Sequence, residues 1–287
     1  MSDAAADKDL VRGAVGGDLA ALEELVQRHR PWIYNVALRM VWNAQDADDV
    51  AQEVLLKAVT KLATFDDRSS FRTWLHRITC NHVLSMKKRS SEERFVSFSQ
   101  FASDLDAAPD LDLPDERAVP VDRALLVEEA KLGCLTAMLL GLDRRQRLAY
   151  VLTDLLGTPS STAADLLDAT PENYRQILSR GRRALHRFMQ GTCGLVETRN
   201  RCRCANRTAG FIEAGHVDPE KIRFARPEAP RLAEVNERDL EALESRMDRL
   251  HRDQQRQAHF TEPPDPRAAL TRFLEDPVVR GTLRLDG

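Results

Sequence analysis

Residues Phe71 to Arg89 read FRTWLHRITCNHVLSMKKR, and the fold of the N-terminal half turns on how this stretch is read. Wound at 3.6 residues per turn, Phe71, Trp74, Leu75, Ile78 and Met86 fall on one side, while Arg72, His76, Arg77, Lys87 and Lys88 fall elsewhere. Asn81 lies two turns beyond Trp74 on the same edge, so an amide and an indole border the apolar stripe. Two readings stand side by side. In one, this is a core helix with a solvated basic end. In the other, the Trp74 and Asn81 edge receives an unpaired base, with stacking worth roughly 1 to 3 kcal/mol per base, an amide on the base edge, and Lys87, Lys88 and Arg89 on the phosphates.

Around this stretch, glycine and proline are sparse through the first ninety residues and the apolar spacing is helical, which predicts a helical bundle. Asp18 can cap a helix through Leu22, Leu25 and Val26, and Pro31 marks a kink or the start of the next helix. Near Asp46 the sequence DADDVAQEVLLKAVTKL opens another, its aspartates favouring the positive end of the helix dipole. Val50, Val54, Leu55, Ala58 and Leu62 form its apolar side. Asp46, Asp49, Glu53 and Lys57 line the other, with Gln52 and Leu56 at the margin. A leucine beside an acidic strip suits a basic partner with an apolar notch, and is equally an ordinary surface leucine.

The acidic helix followed at short distance by the FxTWLxRIxxN run resembles the second conserved region of sigma-70 family factors, in the compact form of the extracytoplasmic-function (ECF) group. The resemblance implies that Asp46, Asp49, Gln52, Glu53 and Leu56 face bacterial RNA polymerase core. It implies equally that Arg72, Trp74, Arg77, Asn81, Lys87, Lys88 and Arg89 face unpaired promoter bases of the minus-ten element.

From Ser97 to Pro120 the composition shifts to aspartates and prolines, which predicts an extended, mobile acidic linker over 96–122. Its charge suits a basic RNA channel, and the resemblance implies the same path; a plain solvated spacer is the other reading. Helices resume near Val121. A short helix STAADLLDA, with Ser160 and Ser161 as candidate caps, precedes TPENYRQILSRGRRALHRFM. There Thr170 and Pro171 read as N-cap and first helical residue. Tyr174, Ile177, Leu178, Gly181, Leu185 and Phe188 keep one face, and Arg175, Arg180, Arg182, Arg183 and Arg187 lie off it with Gln176 and Ser179 among them. Two short helices with such a second helix describe a helix-turn-helix, whose N-terminal residues, Glu172 and Asn173 among them, enter the major groove. An arginine-rich solvated face is the bland reading. GLDRRQRLAYVLTDLLG and the helix after it resemble the sigma factor's fourth region, which implies reading of the minus-thirty-five element. Thr162, Ala163 and Ala164 depart from the glutamate, apolar residue and alanine usual there.

The resemblance covers roughly 10 to 190. Beyond it, Cys193, Cys202 and Cys204 lie close in sequence, with His186 before and His216 after. Cys193, Cys202, Cys204 and His216 could complete a tetrahedral zinc site. Redox-sensing thiols, favoured by nearby arginines, and unremarkable cysteines are the other two readings. Leu232, Val235, Leu240, Leu243, Met247 and Leu250 suggest a packing helix, followed by a short one carrying Leu270, Phe273 and Leu274.

The chain of 287 residues, 43% hydrophobic, is long enough for about two domains. The expected organisation is all-α: a region 2 bundle over 1–95, the linker over 96–122, a region 4 helix-turn-helix over 123–190 and a mostly helical extension over 191–287. A net charge of −3 means that nucleic-acid contact comes from segregated basic patches. No run approaches about eighteen apolar residues and MSDAAADKDL lacks signal-peptide character, so the cytoplasm is expected and membrane contact is not. Phosphate loops, nucleophile elbows and HExxH are absent, so no enzymatic activity and no required cofactor are expected.

The function read from all this is a transcription initiation factor that brings core polymerase to promoters. An anti-sigma partner or the C-terminal extension itself are candidate regulators. The alternative is a stand-alone helix-turn-helix regulator with a metal- or redox-sensing C-terminal domain.

Overall fold

A computed structural model describes residues 3–94, 97–107 and 122–225. These are helical, apart from turns, loops and an isolated parallel pairing of Cys193 with Cys202. In the N-terminal module α1 (Asp3–Val15) and α2 (Leu19–Val41) pack with α3 (Ala44–Thr60) and α4 (Phe71–Ser85). Asp18 caps α2 by accepting from the amides of Ala20 and Ala21, as its position before an apolar-periodic run predicts. The helix continues unbroken through Pro31 and is capped by Trp42, which adopts a left-handed conformation. The α3 helix starts slightly earlier than its aspartates suggest, because Asn43 accepts from the amide of Asp46 and serves as its N-cap. Of the first-turn aspartates, Asp48 turns inward and pairs with Arg30, both buried.

The region expected to be an extended linker differs in its first part. After α5 (Ser90–Arg94), α6 (Phe98–Ala107) is a helix with Phe101 and Leu105 buried. The Phe98 ring stacks on Phe188 at 4.8 Å between centroids, and Phe101 meets the same ring edge-on at 5.6 Å. Gly141 makes the approach feasible, since a β-carbon there would come within 2.7 Å of the Phe98 ring. Apolar burial on the C-terminal module therefore offsets the ordering entropy that the acidic composition alone could not. The rest of the acidic stretch, 108–121, lies outside the described residues.

The C-terminal module begins with α7 (Arg123–Ala137), capped by Asp122, and a 3₁₀ turn Met138–Gly141. Next come α8 (Arg144–Tyr150), prolonged by a π-helical turn Val151–Leu155, then α9 (Ser160–Leu166) and α10 (Pro171–Thr192). Pro159, not a serine, precedes α9, and Ser160 is its first helical residue. Ala163 and Ala164 are fully buried, so the departure from the usual residues there still yields a packed first helix of the motif. Asp168, at positive φ, turns the chain toward α10, and Thr170 caps α10 through the amide of Asn173. Last comes α11 (Cys204–Glu213), lying against α7.

The two modules share one core and are joined by polar contacts. Buried Glu92 accepts from Arg144 at 2.9 and 2.7 Å and from Arg147 at 2.9 Å. Arg147 also donates to the carbonyls of Leu139, Leu140, Leu142 and Met40. The Trp42 indole donates to the Gly133 carbonyl at 3.1 Å. The helices expected around Leu232 to Leu250 and Leu270 to Leu274 lie outside the described residues.

Candidate nucleic-acid interface

The outer face of α3 carries the acidic strip. Asp46, Asp49, Gln52 and Leu56 are half-buried and Glu53 is exposed. Leu56 thus rests partly on the core instead of standing clear of it. Burial raises the Asp46 carboxyl, against the lowering charge of Arg89. Glu53 is engaged from α4 and the loop after it: Arg89 donates to it at 2.9 Å and the His82 ring nitrogen stands 3.0 Å away. Acidic and basic strips, separate in sequence, therefore meet at one edge.

On α4 the side chains divide as the helical spacing predicts, but the helix ends at Ser85 and Lys87, Lys88 and Arg89 lie in the loop after it. Phe71 and Leu75 are buried; Arg72, Arg77, Asn81, Lys87 and Lys88 are exposed; Trp74 and Arg89 are half-buried. Ser70 caps the helix through the amide of Thr73. Half-buried Trp74 lies against Phe65 at 5.5 Å and Phe71 at 5.6 Å between centroids, and Asn81, two turns further on, is exposed. His76, which sequence reading set among the polar residues, instead stacks on Trp32 at 3.4 Å and 8°. Burial, then the charges of His29 and Arg72, lowers its pKa to about 3, so the ring stays neutral. Arg77 reaches across to the Asp165 carbonyl of α9 at 3.3 Å.

On α10, Tyr174, Ile177, Leu178, Gly181, Leu185 and Phe188 are buried. The opposite side carries Glu172, Asn173, Arg175, Gln176, Ser179, Arg180, Arg182, Arg183 and Arg187, all exposed. The Tyr174 hydroxyl donates to the Ala149 carbonyl at 3.0 Å and lies 2.6 Å from Thr153, fixing the rotation of α10 on α8. Arg182 pairs with Asp154, and Arg175 with Glu172 at 2.8 Å. Arg180 and Arg183 make only long side-chain bonds, 3.4 Å each, to carbonyls one turn back on their own helix.

Beyond α10, Cys193 is buried and Cys202 and Cys204 are half-buried. The His216 ring lies 5.1 Å from Trp42 and 6.4 Å from Phe211. It lines an apolar cavity of about 310 Å³ together with Trp42, Phe101 and Cys134. Sequence reading passed over Cys134, whose only signal was a lone cysteine in an apolar run.

One module thus carries an acidic strip beside Trp74 and Asn81, and the other a helix-turn-helix that presents arginines. Residues 25–93 match the family model "Sigma-70 region 2", and residues 132–185 match "Sigma-70, region 4". Over these two segments the chain is similar to the sigma-70 family of RNA polymerase sigma factors.

It is 38% identical over 87 residues to "RNA polymerase sigma-H factor" of Pseudomonas aeruginosa, covering 29% of this chain and 45% of that protein. To "RNA polymerase sigma factor NccH" of Alcaligenes xylosoxydans xylosoxydans it is 27% identical over 192 residues, 67% of this chain and 99% of that protein. The chain thus spans about half the length of the first relative and nearly all of the second. A solved structure, "Structure of CnrH in complex with the cytosolic domain of CnrY", is similar at 23% identity and a TM-score of 0.41, over 65% of this chain and 98% of that one. Among the described residues no helix is long and apolar enough to cross a membrane.

Proposed function

We propose that the chain is a transcription initiation factor of the ECF type. It binds bacterial core RNA polymerase through the acidic face of α3 and directs the enzyme to promoters. The arginine face of α10 reads the minus-thirty-five element in the major groove. The Trp74 and Asn81 edge of α4 holds unpaired minus-ten bases. The role is one of binding and positioning in the cytoplasm, and the polymerase supplies the chemistry.

The observation that carries this reading is the division of exposure. On α10 and along α4 the arginines, Asn81 and the polar residues face outward, Trp74 stands half-buried, and the apolar residues between them form the core. Magnitudes set a limit on what the chain does alone. Each base-pair step costs roughly 1.4 kcal/mol of stacking, and a captured base returns roughly 1 to 3 kcal/mol. One aromatic and amide edge does not balance the opening of several steps, so strand opening requires polymerase contacts.

A stand-alone helix-turn-helix regulator has no use for α3, and the region 2 match over 25–93 weighs against it. The deciding experiment is Asp49→Lys with Glu53→Lys. The double variant is expected to keep its helical circular dichroism and lose association with core polymerase; undiminished association would remove α3 from the docking role.

A further inference from the structure

After α10 the chain folds back so that the segments carrying Cys193 and Cys202 run parallel as an isolated backbone pairing. The approach requires glycine at 194, where a β-carbon would stand 2.2 Å from the Cys202 carbonyl oxygen. Asn200 ties the loop by donating to the carbonyls of Gln190 at 2.9 Å and Cys193 at 3.2 Å. Arg203 does so through the carbonyls of Cys202 at 3.2 Å and of Thr198. Cys204 then opens α11, which packs on α7, and α7 contributes Cys134.

We infer that Cys134, Cys193, Cys202 and Cys204 form a four-cysteine site for zinc that fastens the segment after α10 to α7. The Cys193 sulfur faces the backbone amides of Leu195 and Val196. Such N–H donors favour the thiolate and are the outer support that metal-bound sulfurs use. Each of Cys134, Cys193 and Cys204 lies near enough to other members of the group to be destabilised by their negative charge.

A divalent cation reverses the balance by replacing mutual repulsion with four metal–sulfur bonds in the tetrahedral geometry zinc prefers, the displaced protons passing to solvent. No three His, Cys, Asp or Glu side chains among the described residues stand at metal-holding positions. Binding therefore requires the thiols to turn about their Cα–Cβ bonds onto a common point. The neighbouring Gly133 carbonyl holds the Trp42 indole, so the site would brace the junction between the modules.

The test uses the full chain, treated with chelator under reducing conditions and then titrated with zinc or with cobalt as a spectroscopic probe. Expected are one zinc per chain by elemental analysis and a thiolate-to-cobalt charge-transfer band. Cys134→Ser and Cys204→Ser should each weaken uptake by at least about tenfold, while His216→Ala leaves it unchanged. Circular dichroism checks the fold of each variant. Should Cys134→Ser not fold, zinc added to the parent chain must protect Cys202 and Cys204 from alkylation, and chelator must restore labelling.

Failure to retain zinc, uptake that depends on His216 but not Cys134, or unchanged alkylation would each overturn the site. None of these readouts involves polymerase, so they are separate from the fate of the initiation-factor reading.

Discussion

Replacing Glu92 by glutamine tests whether the two modules are joined as the structure describes. The carboxylate accepts three charge-assisted bonds from Arg144 and Arg147, and both Glu92 and Arg147 are almost wholly buried. Glutamine keeps the size but removes the charge and turns one acceptor into a donor facing guanidinium groups. Arg147 would keep its carbonyl partners while its positive charge lost its counter-ion. Removing one partner of a buried pair costs about 3 to 5 kcal/mol. The lower end applies here, because four carbonyls still solvate Arg147 and Arg144 is partly open to water.

Burial alone would raise the Glu92 pKa, but the Arg144 hydrogen bond and the charges of Arg147 and Arg144 outweigh it and leave the group lowered. Its contribution is therefore fully present above the unfolded glutamate pKa and is lost as pH falls through the lower folded value. Urea unfolding at pH 7.5, followed by tryptophan fluorescence, is the assay, since Trp42 sits at the junction. The expected result is a loss of about 3 kcal/mol for Glu92→Gln and less than about 0.5 kcal/mol for exposed Glu93→Gln. Equal stability of the two variants would refute the reasoning.

Two further predictions concern pH and DNA. His76 is neutral in the fold and its pKa is lowered to about 3, so stability is complete above the unfolded histidine pKa and falls as pH drops below it. Between pH 7.5 and 5.5 the loss from this group is about 1.4 kcal/mol. His76→Phe, which can still stack on Trp32, should be less acid-sensitive by that amount in urea midpoints; identical pH dependence would contradict the assignment. Arg180→Ala with Arg183→Ala should reduce the slope of log affinity against log salt for duplex DNA by about 2. An unchanged slope would mean that α10 does not meet phosphates there.

Much of the architecture is legible in local pattern. Asp18 and Thr170 cap helices because short polar side chains preceding apolar-periodic runs satisfy the first free amides. The two faces of α4 and α10 follow from 3.6-residue spacing. What escaped reading is non-local. Phe98, Phe101 and Leu105 already have helical spacing, but aspartates and prolines around them conceal it, and the helix gains its stability from Phe188 and Gly141 far along the chain. Glu92 looks like one of two surface glutamates until Arg144 and Arg147 are brought to it. His76 reads as polar until it is seen against Trp32. Cys134 is brought toward the segment of the later cysteines only because α11 lies on α7. The residues proposed to meet DNA and polymerase were the more readable part, since exposure on one helix face is a local property.

The central claim is tested most directly by mixing the purified full chain with bacterial core RNA polymerase and measuring association, followed by transcription from a library of promoter fragments. The account predicts a one-to-one complex and transcripts that appear only when both proteins are present. A well-folded chain that never associates with core enzyme, or that binds duplex DNA with equal selectivity in its absence, would contradict it.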